Sequence, residues 1–582
     1  MMSSPPVSKA WKNYPRFFPR LGKEFAKFSK AWKIAALLVP ILGNVCASAQ
    51  SLPAFPGAEG FGACSTGGRG GDVYTVANLN ASGPGSFAEG LATAPPQGRT
   101  IVFAVSGYIP IRKLKLKASN ITIAGQTAPG DGVALRGSIF WISGSNVVIR
   151  FMRFRRGVDR DGGDCVETDS GARNLLLDHC DAMFSTDENF SMFKTAPPTM
   201  TFQWSINAWG LQTHSAGGLW MVDHTTVHHS LWAHNHTRNP KVIRPLAFDW
   251  ANNVTFGWDI GMNLAGADVP GAYKVNLRGS TFIHGGKARD AVFGGGQTNG
   301  VTSFHVHVSD CAFDGNGNGR LDVSAADHNI IAKDSLYHKQ PAPFPQTLKA
   351  DPAAPRDPVL GVPVTLDDRA TAYKKVLSHV GPLRLELDPA KPLRDEADAL
   401  LIRDVAQQHR RIISHEKELG LGDGGCGALK SAPAPVDGDG DGMPDYYETA
   451  LGWEATKQDH NTPLAGNGGK ISGVTFFPTG TAAGYTRLEE YLHFCASPHG
   501  VVASGGSVMV DLKKFTSGFT ASPKFTVAQV LGGSVMTGGP GGSQVTFKPA
   551  PGHTGRARFD FTVRDSEGSQ WTQTCVLVVL KP

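Results

Sequence analysis

Acidic, histidine and arginine side chains concentrate between residues 164 and 238 of the chain. In order, they include Asp164, Glu167, Asp178, His179, Asp187, Glu188, His228, His229 and Arg238. Clustered carboxylates can hold a hard divalent cation or exchange protons with a substrate, and an arginine can bind an anionic group. Short apolar and β-branched runs separate these residues, so the sequence predicts a polar site displayed on one face of a repeating scaffold.

A second acidic group has the spacing of a calcium-binding loop. Carboxylates occupy positions 1, 3, 5, 9 and 12 of a twelve-residue stretch, with glycine at position 6. These carboxylates are Asp437, Asp439, Asp441, Asp445 and Glu448. Glycine permits the sharp bend, and the distant glutamate can close the ligand shell from a following helix. The stretch predicts a bound Ca²⁺ with a structural role and resembles the loops of dockerins and thrombospondin type 3 repeats.

A repeat of about 26 residues predicts the scaffold that carries the first group. Short apolar runs begin at intervals of 26, 28, 26, 26 and 27 residues, at Asn120, Asn146, Asn174, Met200, Thr226 and Asn253. Such a period of short strands indicates stacked coils, each burying its apolar face against its neighbours. Asparagine at a recurring corner suits left-handed backbone geometry, and its amides can bond along the stack. We therefore expect a right-handed parallel β-helix rather than a β-sandwich joined by hairpins.

The composition and the remaining patterns extend this to an all-β chain with several domains. With 582 residues, 70 Gly, 38 Pro and 18% charged residues, the chain is long and rich in turns. We expect the β-helix over residues 50–345 and a helical tail packing on it over 346–425, with helical periodicity at 370–380 and 395–419. A calcium module over 426–500 and a C-terminal immunoglobulin-like β-sandwich over 501–582, with period-two alternation, complete the fold class.

The first 49 residues predict a cleaved signal peptide. Eight Lys/Arg and one Glu give a net charge of +7, residues 34–42 are apolar, and Ala47-Ser48-Ala49 suits cleavage. The chain total is +6, so the rest carries −1, which argues against nucleic-acid binding. The apolar run is too short for a bilayer of about 30 Å. We expect a secreted, extracellular or periplasmic monomer without a stable membrane span.

Seven of the eight cysteines lie beyond this signal. An oxidising compartment favours disulfides, and an odd number leaves at least one thiol unpaired. Cys426 and Cys495 bracket the calcium module and are a candidate pair that could staple it.

Several ordered motifs resemble polysaccharide lyase family 1 of the pectate lyase superfamily. They are Gly60-Phe61-Gly62 with the glycine-rich residues 67–71, the run at residues 122–126, the pair Asp178-His179, and Arg238 two residues before Pro240. The resemblance covers residues 53–345, and the later modules suit secreted bacterial pectate lyases. It implies β-elimination of polygalacturonate with the aid of calcium, which withdraws charge from the uronate carboxylate while a base removes the proton on C5.

The resemblance also implies roles for individual residues. Asp164 and Asp187 match calcium ligands, whereas Ser191 stands where the family has a further aspartate, for which Glu188 could compensate. Arg238 matches the catalytic arginine. The expected substrate-binding residues are Arg244, with Lys241 as an alternative, His214, and Arg155 from the basic run at residues 150–156. His179, His228 and His229 are interpreted as structural.

Two other functions remain open on the sequence. A β-helical glycoside hydrolase could use paired aspartates from Asp164, Asp178 and Asp187, but Arg238 would then have no role. A non-catalytic pectin-binding or adhesion protein would keep the scaffold and the sandwich without chemistry. The lyase alone makes an unsaturated, ultraviolet-absorbing product, so an assay on polygalacturonate separates the three.

Overall fold

A computed structural model describes most of the chain beyond the expected signal peptide. The described residues are 52–158, 162–192, 199–221, 224–243, 247–264, 271–286, 301–330, 361–464, 476–477 and 484–582. The chain divides into two units, and the residues discussed below belong to the unit Gln50–Pro582. The predicted signal peptide, Arg244 and residues 331–360, where the predicted helical tail begins, lie outside the described residues.

Parallel strands stack into the predicted β-helix, whose described strands form three sheets. Sheet 1 contains Asp72–Val76, Arg99–Phe103, Ile121–Ala124, Ser145–Arg150, Arg173–Asp178, Met200–Gln203, His224–His228, Ala247–Ala251, Gly271–Arg278 and Val301–Ser309. Sheet 2 contains Gly107–Pro110, Val133–Arg136, Arg153–Arg155, Asp181–Met183, Ile206–Ala208, Leu231–Ala233, Val254–Phe256, Thr281–Ile283, Ala312–Asp314 and the antiparallel Ala325–Ala326.

Sheet 3 has two parts that a parallel bridge between Met192 and Trp220 connects. Its strands are Leu114–Leu116, Phe140–Ile142, Val166–Thr168 and Phe190–Ser191, then Leu219–Met221, Lys241–Ile243 and Asn263–Leu264. The described α-helices are α1 Phe87–Ala92, α2 Arg369–His379, α3 Glu396–Ala406, α4 Asp445–Leu451 and α5 Arg487–Cys495.

The asparagine corners behave as the repeat predicts. Asn120, Asn146 and Asn174 have φ values of 59°, 55° and 49°, in the left-handed region where asparagine is tolerated. The Asn146 amide donates to Asn120 Oδ1, and the Asn174 amide donates to Asn146 Oδ1, each at 3.0 Å. The predicted ladder of stacked amides is therefore confirmed over these three coils.

The end of the predicted repeat is wrong. Met200 aligns with Thr225 rather than Thr226, and Thr225 aligns with Phe248. Asn253 instead precedes the strand Val254–Phe256 of sheet 2. The coil from Thr225 to Phe248 has fewer residues than the coils before it. A repeat of fixed length therefore misses the next strand of sheet 1 and falls on a strand of sheet 2 instead.

A second corner of the β-helix carries a ladder of rings. Phe151, His179, Trp204 and His229 occupy successive coils with positive φ. The rings of Phe151 and His179 stack at 4.7 Å between centroids, and those of Trp204 and His229 at 4.3 Å. These buried rings stabilise the stack of coils by packing, which agrees with the structural interpretation of His179 and His229.

The helical tail packs on sheet 2. Val376 of α2 and Leu401 of α3 share one apolar cluster with Ile206 and Leu231 of the β-helix. The prediction for 370–380 is confirmed by α2, whereas α3 ends at Ala406, well before the predicted residue 419. The backbone leaves the helix because Gln408 adopts a φ of 53°, and the His409 N–H donates to the Asp404 carbonyl at 2.7 Å.

The C-terminal sandwich consists of two sheets that pack into one apolar core. The first contains His499–Ala503, Gln570–Leu580, Gly555–Arg564 and Lys524–Leu531, and the second contains Val508–Asp511, Gln544–Pro549 and Gly533–Gly538. The Trp571 ring stacks on Trp204 of the ring ladder with 6.1 Å between centroids. The sandwich thus packs directly against the β-helix.

The calcium module also packs on its neighbours. Tyr447 of α4 and Leu488 of α5 share an apolar cluster with Val102 of sheet 1 and Val576 of the sandwich. The Arg69 guanidinium pairs with Glu489 at 2.7 Å and joins the glycine-rich opening of the chain to α5. These contacts make the module part of the folded body.

The proposed Cys426–Cys495 disulfide is wrong. Cys426 and Cys495 both carry free thiols. Cys426 packs with the tail on sheet 2, whereas Cys495 belongs to the apolar cluster of the calcium module. The two thiols lie in different apolar clusters, so their positions on either side of the module in the sequence do not make them neighbours.

Candidate functional site

Stacking of the coils brings the residues of the first polar group together at one edge of sheet 3. The Cys165 N–H donates to the Glu188 carbonyl at 3.0 Å. Glu188 forms a parallel bridge with Ala216, and Ala216 forms one with Thr237. Neighbouring coils of a sheet lie about 4.8 Å apart. Asp164, the pair Asp187-Glu188, His214 and Arg238 are therefore neighbours although 74 residues separate the first from the last.

The carboxylates of this site face one another. The Glu188 N–H donates to Asp164 Oδ1 at 3.1 Å. Ligand atoms of Asp187, Glu188 and His214 lie within 4.8 Å of one another. Burial raises the pKa of Asp164 to about 7; the adjacent Ser191 hydroxyl lowers it, and the negative Asp187 raises it further. A cation placed here would relieve both the burial and the repulsion.

Three basic side chains lie beside these carboxylates. His214 pairs with Asp187, and this partner raises the pKa of His214. The Arg238 guanidinium pairs with Glu188 and keeps 22% of its side-chain surface exposed. Burial lowers the pKa of Arg238, although Asp187 and Asp164 oppose that shift. Burial and the neighbouring Arg238 charge also lower the pKa of Lys241.

The backbone at Arg238 is fixed by the preceding coil. Arg238 has a φ of 58°, which a side chain of this size rarely adopts. Its carbonyl accepts a hydrogen bond from the Gly218 N–H at 2.8 Å. A Cβ at Gly217 would lie 2.6 Å from the same carbonyl oxygen, so this close approach requires glycine. The strained position aims the guanidinium at the carboxylates.

A buried network of amides lies directly beneath the site and was missed on the sequence. Asn189 donates to Asn207 Oδ1 at 3.2 Å and to Asn235 Oδ1 at 3.1 Å. Asn235 in turn donates to Asn239 Oδ1 at 3.1 Å. Asn189 follows Glu188, and Asn239 follows Arg238, so the network fixes both partners of the ion pair. In the sequence, the available signal for this network was an asparagine directly after each of the two charged residues, Glu188 and Arg238.

Known proteins of similar sequence indicate the family of the chain. No family model matches the chain. The "Probable pectate lyase C" of Emericella nidulans is 34% identical over 422 residues, which cover 71% of this chain and 90% of that protein. The protein of the same name from Aspergillus fumigatus is 33% identical over 73% of this chain and 94% of its own length. The chain belongs to the pectate lyase superfamily.

Two solved structures resemble this pectate lyase chain at lower identity. One is Jun a 1, the major allergen from cedar pollen, with 19% identity and a TM-score of 0.36 over 47% of this chain and 87% of the allergen. The other is a variant pectate lyase from Xanthomonas campestris, with 15% identity and a TM-score of 0.32 over 56% of this chain and 98% of its own.

The pectate lyase fold does not place Arg155 in the site. Its side chain is 0% exposed, and it donates to Asp181 at 2.7 Å, Asp395 at 3.0 Å and Asp398 at 3.0 Å. These carboxylates lie between sheet 2 and α3. The expectation that Arg155 binds substrate is therefore wrong, because the strand turns this side chain toward the tail. Arg244, the other arginine expected to bind substrate, lies outside the described residues.

The second acidic group forms two clusters that share one residue. Asp437, Asp439 and Asp441 offer ligand atoms within 4.8 Å of one another, and Asp441 does so with Glu448 and Asp459. Asp445 is not part of either cluster; its Oδ1 accepts the Gly438 N–H at 2.7 Å at the start of the loop. Asp459, which the loop pattern did not include, belongs to the second cluster.

The described helices are all too short or too polar to span a membrane.

Proposed function

We propose that the protein is a secreted enzyme that cleaves polygalacturonate by calcium-assisted β-elimination and releases unsaturated oligogalacturonates. The observation that carries the proposal is the convergence of three carboxylates, Asp164, Asp187 and Glu188, with the half-buried Arg238. Family membership and the relatives named as pectate lyases support the substrate class. Secretion is proposed from the basic, apolar and Ala-x-Ala segments of residues 1–49.

The acidic residues fit a calcium ion by the chemistry of their donors. Carboxylate oxygens are the ligands that calcium prefers, and Asp164, Asp187 and Glu188 supply them in a site where burial disfavours uncompensated negative charge. When bound, calcium would neutralise the uronate carboxylate and so make the proton on C5 more acidic. Ser191 in place of a further aspartate leaves Glu188 as the third carboxylate.

Arg238 is the group proposed to receive the proton from C5. Burial lowers its pKa, which increases the fraction of guanidine that can accept a proton, although arginine in water is almost always charged. The electron pair of the broken C5–H bond forms the C4–C5 double bond while the C4–O bond breaks. The leaving oxygen takes a proton from water. Glu188 holds the guanidinium in position before the sugar arrives.

Lys241 and His214 flank this centre and are proposed to bind the uronate carboxylates. Lys241 lies close enough for its pKa to respond to the charge on Arg238. His214 pairs with Asp187 on the other side. Cationic side chains on both sides would align an anionic polymer over the site. Arg244 is proposed to act with them on the evidence of the resemblance alone.

The test is production of ultraviolet-absorbing product from polygalacturonate. The wild type should make this product with calcium and lose it with a chelator. Arg238→Lys keeps the charge but loses the planar group, and we expect a loss of about 10²- to 10⁴-fold in turnover. Arg369→Lys is the control, because Arg369 forms an exposed pair with Asp310 at 3.1 Å outside the site.

Four outcomes would contradict the proposal. Reducing ends without ultraviolet absorption would indicate a glycoside hydrolase, and binding without cleavage would indicate a pectin-binding protein. Folded Arg238→Lys with more than about a tenth of wild-type turnover would remove Arg238 from the centre of the mechanism. Full activity of Asp164→Asn at limiting calcium would remove the proposed metal site.

A further inference from the structure

The acidic group of the calcium module contains a buried carboxylate that lacks a partner. Glu448 is 0% exposed. Within the part of the chain that the structure describes, neither of its two oxygens has a hydrogen-bond donor. A buried, uncompensated carboxylate is costly, and a native structure normally pairs it or uses it to coordinate a metal. Glu448 therefore points to a positively charged ligand.

Three aspartates lie near Glu448. Ligand atoms of Asp441 and Asp459 lie within 4.8 Å of those of Glu448. Asp439 Oδ2 and Asp459 Oδ1 are also buried without a donor among the described residues. Arg487 pairs with Asp459, and within the described residues this is the one ion pair made by these four carboxylates.

We propose that Asp439, Asp441, Glu448 and Asp459 bind a divalent cation of the calcium type, with Asp459 as a ligand from outside the twelve-residue loop. Carboxylates without nitrogen or sulfur donors suit a hard cation such as Ca²⁺. This site lies outside the proposed catalytic site and does not depend on the proposed function. Asp445, the ninth residue of the loop, is excluded from the ligand set because it belongs to neither acidic cluster.

The position of Asp459 gives the cation a further role at the start of the β-helix. The next two residues contact the glycine-rich opening: His460 Nε2 lies 3.2 Å from the Gly71 carbonyl oxygen, and the Asn461 amide donates to it at 2.8 Å. The loop itself packs on the first strand of sheet 1, where a Cβ at Gly442 would lie 3.1 Å from Val73. A cation that joins Asp459 to the loop therefore also fixes the module against the first coil.

The test compares calcium binding and thermal unfolding of the purified full protein after removal of metal with a chelator. At a calcium concentration about a thousand times Kd, the linkage relation predicts that Tm of the wild type rises by roughly 4 °C. Asp459→Asn should weaken calcium binding at this site by about tenfold or more and, at the same calcium concentration, remove about a third or more of the rise in Tm. The matched control is Asp445→Asn, which should keep both.

Glu448→Gln provides a second test that does not require Asp459→Asn to fold. It removes the buried carboxylate while keeping the shape, so without calcium it should have a higher Tm than the wild type, and calcium should raise its Tm by much less than that of the wild type. Equal calcium responses of Asp459→Asn and the wild type, or equal losses in Asp459→Asn and Asp445→Asn, would overturn the proposal.

The same variants separate this site from the catalytic one. Asp459→Asn with saturating calcium, assayed well below its Tm, should keep ultraviolet product formation within about twofold of the wild type. Arg238→Lys should lose activity but keep the calcium-dependent rise in Tm. A protein that gains stability from calcium without cleaving polygalacturonate would support this site and contradict the proposed function.

Discussion

Replacement of Arg155 by methionine discriminates between its expected role and its observed one. The side chain bonds three buried carboxylates, Asp181, Asp395 and Asp398, that join sheet 2 to α3. If Arg155 bound substrate, its loss would reduce activity and spare stability. Because it is buried in an ion-pair network, we expect Arg155→Met to reduce stability and to spare activity per folded molecule.

The expected magnitude follows from the partners that remain. Asp395 keeps Arg153 at 2.6 Å, so one carboxylate stays paired. Asp181 loses its arginine partner while its Oδ1 still accepts the Phe154 N–H at 3.0 Å. Burial already raises the pKa of Asp398 to about 8, so protonation can relieve part of its charge. Breaking one partner of a buried network typically costs about 3 to 5 kcal/mol.

Thermal unfolding measures this cost. An unfolding entropy of about 2.1 cal/mol/K per residue gives about 1.1 kcal/mol/K for the roughly 530 residues of the unit Gln50–Pro582. We therefore expect Tm to fall by about 3 to 5 °C if the unit unfolds cooperatively. The control Arg136→Met breaks an exposed pair with Asp423 and should cost about 1 kcal/mol or less.

Product formation completes the test of Arg155. Below its Tm, Arg155→Met should retain ultraviolet product formation from polygalacturonate within about twofold of the wild type. A fall of more than about tenfold in kcat/KM with an unchanged Tm would refute the structural role and return Arg155 to the substrate site.

Two further predictions concern the contacts of the C-terminal modules. Trp571→Ala removes the ring that stacks on Trp204, and we expect the unfolding free energy to fall by about 2 to 4 kcal/mol. The control Met536→Ala should change it very little, because Met536 is 72% exposed. Equal Tm values of the two variants would contradict docking of the sandwich. Burial lowers the pKa of His493 to about 3, below its unfolded value of about 6.5, so its contribution to stability is complete above pH 6.5 and is lost as pH falls. Between pH 7 and pH 5 the unfolding free energy of His493→Phe should therefore gain about 2 kcal/mol relative to the wild type, and a difference that does not change with pH would contradict this.

The β-helix was predictable because each coil repeats one local requirement. Asn120, Asn146 and Asn174 show both signals at once, since asparagine tolerates left-handed backbone and its amide can bond the next coil. The prediction failed where a coil changed length. The strand of sheet 1 begins at Ala247, before the position that the repeat predicts, and the apolar run after Asn253 was mistaken for it. Sequence periodicity reports the spacing of apolar runs but not the sheet to which each one belongs.

The polar residues were predictable by type, but their partners were not. The motif places Arg238 in the site, whereas only the stacking of coils shows that Glu188 pairs with it and that Asn189 and Asn239 hold the two chain segments. Arg155 looks equivalent to a substrate-binding arginine until the tail is packed on sheet 2, because its carboxylates lie as far away in the chain as Asp395 and Asp398. Long-range pairing of charges is a property of the packed structure.

Asp459 illustrates the same point for the calcium module, and it bears on why the module is attached where it is. The first strand of sheet 1 is an edge, and an uncovered edge offers unpaired backbone groups to other chains. Residues from the far end of the sequence cover this region: His460 and Asn461 bond Gly71, and Glu489 pairs with Arg69. The residues that make these contacts follow Asp459 in the chain. Asp459 therefore connects the acidic cluster to the start of the β-helix. Removing the module would therefore expose an edge of the catalytic domain rather than detach an independent accessory.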